Sequence, residues 1–224
     1  METTRRSILC LIVLLLMAPM LRAQDLSKYR AFSLGTSLAS VLKQTEQKSA
    51  DVKVIHARPA LIQELNWWPP NLPEASYRSD TVEQILFSFY NGELYKISLI
   101  YDQASTEGLT ALDMIKAISA KYGQATNVVP ESNSPKSEQY EVPQKLVASW
   151  EDSQYSFNLV RSSFSERFGL VIYSKPANAE AELATAEAIK LDKQEGPQRE
   201  AERQKKETKD LEVTRQKNLK NFRP

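Results

Sequence analysis

Apolar residues recur in short periodic runs as far as residue 175, with turn signals between the runs. Some runs have a spacing of two residues, as in strands, and others have helical spacing. This mixture predicts an α+β domain in which helices pack on a curled antiparallel sheet. Beyond residue 175 the chain consists largely of Ala, Glu, Lys, Gln and Arg with almost no aromatic residues, which predicts a charged tail that is helical or disordered.

Two helices are predicted within the domain. The first opens at Leu34-Gly35-Thr36-Ser37, where Thr36 or Ser37 can cap it. The second begins at Thr110, with Asp113 in the position of a capping-box acid, and it ends at Gly123. The apolar spacing predicts that its buried stripe consists of Leu112, Ile115, Ile118 and Tyr122.

Alternating apolar residues predict a hairpin around Asn91-Gly92. A two-residue turn at Asn91-Gly92 would pair Phe87 with Lys96 and place the apolar residues of the two strands on opposite faces. A three-residue loop that includes Tyr90 would pair Phe87 with Tyr95 and give one buried face. We therefore predict the three-residue loop, with Gly92 as a left-handed bulge.

Further strands are predicted on both sides of this hairpin. Residues 51–56 and 60–67 precede it, and a second hairpin follows the second helix, with Trp150 paired to Tyr155. A last strand, Phe168 to Tyr173, closes the domain. Because each half places a helix before its strands, the order suggests two weakly repeated helix-plus-sheet units. The predicted single face of the second hairpin holds Leu146, Ala148, Trp150, Tyr155, Phe157 and Leu159.

The first helix carries a family resemblance. Its opening, Leu34-Gly35-Thr36-Ser37-Leu38-Ala39-Ser40-Val41-Leu42, resembles the glycine, hydroxyl and apolar start found in small bacterial envelope domains. The family is the small outer-membrane assembly lipoprotein fold, which the β-lactamase inhibitor proteins share in outline. This resemblance implies an envelope module of helices on a sheet. The chain lacks the lipid-attachment cysteine of that family and the Gly-x-Pro that often follows its helix.

The first 23 residues predict export. Arg5 and Arg6 precede an almost purely apolar run from Ser7 to Leu21, and Ala23 provides a small residue for cleavage. The run is short for a membrane span and no stop-transfer segment follows, so we expect no integral membrane segment after cleavage. Cys10 follows Leu9 rather than a small residue, so no lipid anchor is predicted. The expected organisation is a signal peptide at 1–23, a domain at 24–175 and a tail at 176–224, exported to the periplasm or the medium.

Removal of the signal peptide changes both charge and thiol content. The segment carries three arginines and one glutamate, so the net charge falls from +1 to −1. A nearly neutral exported protein has no basic field for nucleic acid, and none is expected as a partner. The only cysteine also leaves with the segment, which excludes disulfides and thiol chemistry from the mature chain.

The remaining candidates for chemistry give no catalytic or metal site. His56 is the only histidine, the chain has no Gly-x-Ser-x-Gly elbow, and zinc sites draw on several His or Cys ligands. Neither a cofactor nor an enzymatic activity is predicted, and an enzyme ranks third among the hypotheses. The acidic residues that surround the first hairpin and second helix show no spacing that selects a pair, so they are interpreted as surface charge: Asp80, Glu83, Asp102, Glu107 and Asp113.

Trp67 and Trp68 form the best candidate contact surface. Neighbouring residues of a strand point to opposite faces, so one tryptophan can lie in the core while the other is exposed. The alternative is that both rings pack beneath the loop of Pro69, Pro70 and Pro73. An exposed tryptophan with Arg58 nearby would suit a glycan or a small ligand.

The tail is predicted to have two parts. Residues 179–195 are expected to form a helix with an apolar face of Leu183, Ala184, Ala186 and Ile189 that docks on the domain, with Leu183 and Ile189 contributing most. Gly196-Pro197 is expected to break it. Beyond the break we expect a solvated, partly helical and largely disordered segment, with a partner-induced coiled coil as the alternative. The first functional hypothesis is an exported, non-enzymatic interaction module that contacts another envelope protein through its sheet or its tail.

Overall fold

The computed structural model describes residues 25–70, 81–129, 136–137, 144–163 and 165–223. The predicted signal peptide at 1–23 lies outside the described residues, as do Pro73 and Asp80. The helices within the described part are α1 (Leu38–Thr45), α2 (Gln103–Thr106), α3 (Ala111–Tyr122) and α4 (Lys175–Asn221), with a 3-10 turn at Ser49–Asp51.

The strands form one small and one large antiparallel sheet. The small sheet pairs β1 (Lys28–Tyr29) with β2 (Phe32–Ser33). The large sheet has nine strands in the described residues, in the order β3-β4-β5-β6-β11-β10-β9-β7, and β8 pairs with β9. Their bounds are β3 (Val52–His56), β4 (Ile62–Trp67), β5 (Val82–Tyr90), β6 (Glu93–Tyr101), β7 (Asn127–Val128), β8 (Lys136–Ser137), β9 (Gln144–Glu151), β10 (Tyr155–Ser162) and β11 (Phe168–Ser174).

The predicted α+β fold class is therefore confirmed, including the order of its two halves. The first half supplies α1 and the strands β3 to β6, and the second supplies α3 and the strands β7 to β11. The antiparallel pair β6–β11 joins the halves into one sheet. We call the side of this sheet that packs on α1 and α3 the first face. Its largest fully buried side chains are Leu65, Ile85, Phe87, Phe89, Leu94, Ile97, Trp150, Phe157, Leu159, Leu170 and Ile172.

Local capping signals gave the correct helix starts. The hydroxyl of Ser37 accepts from the Ser40 N–H at the start of α1. At the start of α3, Thr110 and Asp113 form the predicted capping box, in which the Thr110 N–H donates to the Asp113 carboxylate at 2.9 Å. These contacts satisfy N–H groups that have no partner within the helix.

The predicted buried stripe of α3 was wrong at one position. Leu112 is 72% exposed, whereas Met114, Ile118 and Tyr122 are buried. At 100° per residue, Leu112 lies about 120° around the helix from Ile118, outside the face that a packed helix covers. Ile115, on the near edge of that face, is half-buried against the core.

The register predicted for the β5–β6 hairpin was also wrong. The turn has two residues, Asn91 and Gly92, both with positive φ, as a type I′ turn requires. Phe89 pairs with Leu94, but Ser88 pairs with Lys96, so Tyr95 is an extra residue in a β-bulge. The bulge brings Phe87 opposite Ile97 and so restores one buried face despite the short turn. It also turns Tyr95 toward the other face of the sheet.

The second hairpin differs from its prediction by a shift of two residues. Trp150 pairs with Phe157 rather than with Tyr155. A shift of two leaves the side chains between Ala148 and Leu159 on their predicted face, because strand side chains alternate with a period of two. A second bulge, between the pairs Leu159–Ala148 and Val160–Leu146, places Val147 in the first-face core where Leu146 was expected.

Helix α4 is continuous, so the predicted break at Gly196-Pro197 was wrong. Its 47 residues correspond to a length of about 70 Å at 1.5 Å per residue. A proline inside a helix removes one backbone hydrogen bond and crowds the preceding turn. Here an ion pair of Arg199 with Asp192, at 2.6 Å, joins the turns on either side of the Gly-Pro pair. The tail thus has the helical form of the prediction rather than the disordered one.

The predicted docking of this helix and the burial of Ala184 are confirmed, but its two large docking residues were wrong. Leu183 and Ile189 are exposed, and α4 instead contacts β6 and β11 through a face of small side chains. Small residues allow the helix to approach the sheet closely, which larger apolar residues on that face would prevent. The buried residues of α4 are Asn178, Ala181, Ala184 and Ala188.

Candidate functional site

The structure separates the three residues that the sequence suggested as a ligand site. Trp67 is half-buried and packs on Phe32 and Phe87, with ring centroids 5.7 and 6.4 Å away. Trp68 is 60% exposed, so the interpretation with one core and one exposed tryptophan holds. Arg58 precedes β4, whereas Trp68 follows it, and Arg58 pairs with Glu195 of α4. An arginine and an exposed tryptophan at opposite ends of one strand do not form a common site.

The first half of α4 lies on the second face of the large sheet, opposite α1 and α3. Ile62, Tyr95 and Ala181 form a small apolar cluster there. Polar groups surround it: Asn178 donates to the Glu182 carboxylate at 2.7 Å, and burial together with the Glu64 and Glu182 carboxylates raises the pKa of Tyr95 to about 12. The docked half of α4 is therefore held by small side chains and by ion pairs of Lys175 with Glu151 and of Glu195 with Arg58, rather than by a large apolar core.

The second half of α4 makes a projecting arm. We use the name distal arm for residues 197–223, all of which are exposed in the structure. At 1.5 Å per residue the arm extends roughly 40 Å. Ion pairs along the helix support it, such as Arg203 with Glu200 at 2.9 Å and Arg215 with Glu212 at 2.8 Å. An arm of this length with no contact to the described part of the domain is available to another molecule.

A second feature is a cavity of about 140 Å³ at the turn end of the β5–β6 hairpin. Three tyrosines line it, and we call it the tyrosine pocket. Tyr95 reaches it because of the bulge in β6, Tyr90 comes from the end of β5, and Tyr155 from the start of β10. The other lining residues are Leu34, Gly35, Glu93, Leu94, Ser174 and Ala177.

The walls of this pocket are fixed by backbone hydrogen bonds. The N–H of Gly35 donates to the Leu94 carbonyl at 2.8 Å, and the N–H of Leu94 donates to the Thr36 carbonyl at 2.9 Å. On the opposite side, the Lys175 N–H donates to the Gln154 carbonyl at 2.8 Å. The pocket is thus preorganised by four chain segments, none of which suggested a site in the sequence.

A shallow basic cleft lies near the small sheet. Its volume is about 220 Å³, and it is lined by Lys28, Arg30 and Lys121 together with Asp25 and Tyr122. The Lys28 ammonium pairs with the Asp25 carboxylate at 3.3 Å, and Lys121 lies over the ring of Tyr122. The cations of the cleft are exposed and already engaged, so the cleft has the character of a charged surface.

Three of the acidic residues singled out in the sequence act structurally, and Glu107 is exposed as predicted for surface charge. Asp102 caps α2 by accepting from the Ser105 N–H at 2.8 Å, Asp113 belongs to the capping box of α3, and Glu83 pairs with Arg167. Within the described ranges no group of three or more His, Cys, Asp and Glu side chains could hold a metal ion. In the same residues, none of the helices combines the length and the apolar character needed to cross a membrane.

Buried tyrosines predict a loss of stability at alkaline pH. Burial is the main cause that raises the pKa of Tyr95, Tyr101 and Tyr122 to about 12, above the ordinary value of 10. Their contribution to stability is complete below pH 10 and is lost as the pH rises through 12. We expect the free energy of unfolding to decrease between pH 10 and pH 12, on the order of 2 kcal/mol for Tyr101 alone. The midpoint of urea unfolding should decrease with it.

A variant isolates the contribution of a single tyrosine from that of all other groups. Tyr101→Phe should make the decrease between pH 10 and 12 measurably shallower, while tyrosinate absorbance follows the remaining groups. An unchanged pH dependence in Tyr101→Phe would contradict this origin of the alkaline instability.

Comparison with known proteins gives no relative: no family model matches the chain, and neither the curated proteins nor the solved structures contain a significant match.

Proposed function

We propose that this protein is an exported, non-enzymatic binding module that presents its distal arm to another protein of the bacterial envelope. The observation that carries the proposal is the arm itself, a solvated helix that continues far beyond its docked half. An isolated helix gains little stability from propensity alone, and most helices in proteins are stabilised by packing. A long helix that is exposed along residues 197–223, as far as the described part of the chain shows, is therefore suited to pack on a different chain.

Three apolar residues give the arm a binding face. Leu211, Leu219 and Phe222 are 70%, 68% and 70% exposed. At 100° per residue they lie within about 80° of one another around the helix axis, whereas Val213 lies on the opposite side. Amphipathic helices bind apolar grooves through anchors of this kind. Full burial of each anchor would contribute roughly 1.5–3 kcal/mol to binding.

Charge indicates the chemistry of the partner. The last part of the arm, residues 213–223, contains four basic residues and no Asp or Glu: Arg215, Lys217, Lys220 and Arg223. A second copy of the chain is a poor partner for the arm, because a parallel pair of arms would place their basic ends side by side. An antiparallel arrangement opposes the basic end to residues 199–209, which are also net positive. We therefore propose a partner protein with an apolar groove and an acidic rim.

Site-specific crosslinking tests this proposal in the full chain. A photo-crosslinking residue at position 211 should trap one acidic protein in envelope preparations, and one at position 213 should trap much less of it. Leu219→Ala with Phe222→Ala should reduce the yield at least fivefold, and Val213→Ala should leave it unchanged. The double variant Lys217→Glu with Lys220→Glu should also reduce the crosslinking yield. The reduction should grow as the salt concentration is lowered, because the repulsion between the new glutamates and the acidic rim of the partner is then less screened.

Three results would contradict the proposal. The first is equal crosslinking from positions 211 and 213. The second is crosslinking to lipid rather than protein, which would make the arm a membrane-surface helix. The third is a concentration-dependent dimer in light scattering that Leu219→Ala with Phe222→Ala abolishes, which would make the occupant a second copy.

A further inference from the structure

We propose that Gly196-Pro197 is a hinge in α4 and that an ionic latch of Asp192, Glu195 and Arg199 holds it straight, so that the direction of the distal arm depends on ionic strength. The hinge is a conformational device of the chain by itself. The inference goes beyond the proposed function and needs no partner protein, because it concerns the position of the arm in the isolated protein.

The backbone at the hinge lacks part of the support that the rest of α4 has. Pro197 has no N–H to donate to the Lys193 carbonyl one turn earlier, and its ring crowds that turn. Gly196, the only glycine of the helix, adds backbone freedom at the neighbouring position. Sharp bends in helices occur mainly at prolines and at similar breaks in the hydrogen-bond ladder. A bend in α4 is therefore expected at this position.

Arg199 connects the arm to the docked half across the hinge. Its guanidinium lies 2.6 Å from the Asp192 carboxylate, which is about two helical turns earlier, so the contact spans Gly196-Pro197. This contact is the main cause that lowers the pKa of Asp192, and the Glu195 carboxylate also acts on Arg199. A bend of the arm away from this side of the helix would separate Arg199 from both carboxylates.

The acidic side of the latch is anchored to the domain. Arg58, which lies between β3 and β4, pairs with Glu195. Arg58 and His56 also contribute, after Arg199, to the lowered pKa of Asp192. The two carboxylates of the latch thus lie between a cation of the domain and a cation of the arm. Through them the direction of the arm is set relative to the large sheet.

The exposure of the latch makes it sensitive to salt. The side chains of Arg199 and Asp192 are both 53% exposed. Ion pairs at a protein surface are weak, and salt screens them further. Apolar packing does not hold the arm in place, because residues 197–223 are exposed throughout. We therefore expect a straight arm at low ionic strength and an arm that bends at the hinge at high ionic strength.

Distances between spin labels, measured by pulsed electron paramagnetic resonance, test the hinge in the full chain. The labels are attached to introduced cysteines in a Cys10→Ser background, because Cys10 is the only cysteine of the sequence. The hinge pair, Glu187→Cys with Lys205→Cys, spans Gly196-Pro197, and the arm pair, Ala201→Cys with Leu219→Cys, lies beyond it. All four positions are exposed. In a straight helix each pair is separated by five turns, which is about 27 Å.

The two pairs should respond differently to ionic strength. At about 0.01 M, where the Debye length is about 30 Å, both pairs should give narrow distance distributions. At about 1 M, where the Debye length is about 3 Å, the distribution of the hinge pair should become at least twofold wider and shift to shorter distances. The distribution of the arm pair should stay narrow. A hinge pair that does not broaden, or two pairs that broaden equally, would overturn the proposal.

Substitutions test the latch and the hinge separately. Arg199→Gln should broaden the distribution of the hinge pair at least twofold at low ionic strength. Arg215→Gln is the matched control, since it removes an ion pair with Glu212 outside the hinge and should leave the distribution unchanged. Pro197→Ala restores the missing N–H and should keep the distribution narrow, even when it is combined with Arg199→Gln.

Two outcomes of these variants would contradict the proposal. If Arg199→Gln leaves the hinge pair as narrow as in the unmodified chain, the ion pair does not hold the arm. If the hinge pair stays broad in Pro197→Ala with Arg199→Gln, the bend lies at another position of α4.

Discussion

Replacing Trp150 with alanine is expected to lower the free energy of unfolding by about 3–5 kcal/mol. The Trp150 ring is fully buried in the first-face core, and its Nε1–H donates to the Gly123 carbonyl at 2.9 Å. That bond links β9 to the end of α3, so the substitution removes both a large apolar side chain and a contact between layers. A loss of this size is a large part of the stability of an ordinary domain.

Urea unfolding followed by circular dichroism measures this loss. Trp68→Ala is the matched control, because it deletes the same side chain at an exposed position and should stay within about 0.5 kcal/mol of the unmodified chain. Trp150→Phe keeps most of the ring and should fall between the two. A cost below about 1 kcal/mol for Trp150→Ala would show that the second half of the sheet is not part of the cooperative core.

The second large effect is expected at Gly169, where alanine should destabilise the protein by about 1–3 kcal/mol. Gly169 lies in β11, next to β6 at the junction of the two halves. A Cβ atom at this position would lie 2.7 Å from the Leu99 carbonyl oxygen and 3.4 Å from Val160. Because the closer atom belongs to the backbone, the two strands must separate to admit it.

Gly196→Ala provides a control outside the sheet. Apart from its chain neighbours, a Cβ at Gly196 would have nothing within 4 Å, and the helix propensity that alanine gains is offset because Pro197 disfavours the helical conformation of a preceding residue with a Cβ. We expect thermal unfolding to occur earlier in Gly169→Ala and to be nearly unchanged in Gly196→Ala. Equal unfolding temperatures for Gly169→Ala and the unmodified chain would mean that the β6–β11 junction accommodates the added carbon.

Features that depend on neighbouring residues could be predicted from the sequence. Thr110, Asp113 and Gly123 determine the ends of α3 through contacts within a single turn, and they needed no knowledge of the rest of the fold. The positions of the longer strands were also predicted well, since alternation is a local pattern, whereas the two-residue strands β1, β2, β7 and β8 were not predicted. Local rules failed at Gly196-Pro197, where an ion pair between Asp192 and Arg199 spans the expected break.

Features that depend on long-range packing could not be predicted. The bulge at Tyr95 is selected by the need to place Leu94 and Ile97 on one core face, so it follows from tertiary contacts rather than from turn residues. The tyrosine pocket has the same origin. Its walls come from four regions that are far apart in the chain, near residues 34, 90–95, 155 and 174–177, and no single region has the composition of a site.

The division of α4 into a docked half and a free half makes the helix a lever. The fulcrum is the docked half, in which the small side chains of Ala181, Ala184 and Ala188 lie against the sheet. A tilt of about 10° at this fulcrum displaces the end of a roughly 40 Å arm by about 7 Å. A small tilt of the docked half would thereby move the basic end of the arm by more than the rise of one helical turn.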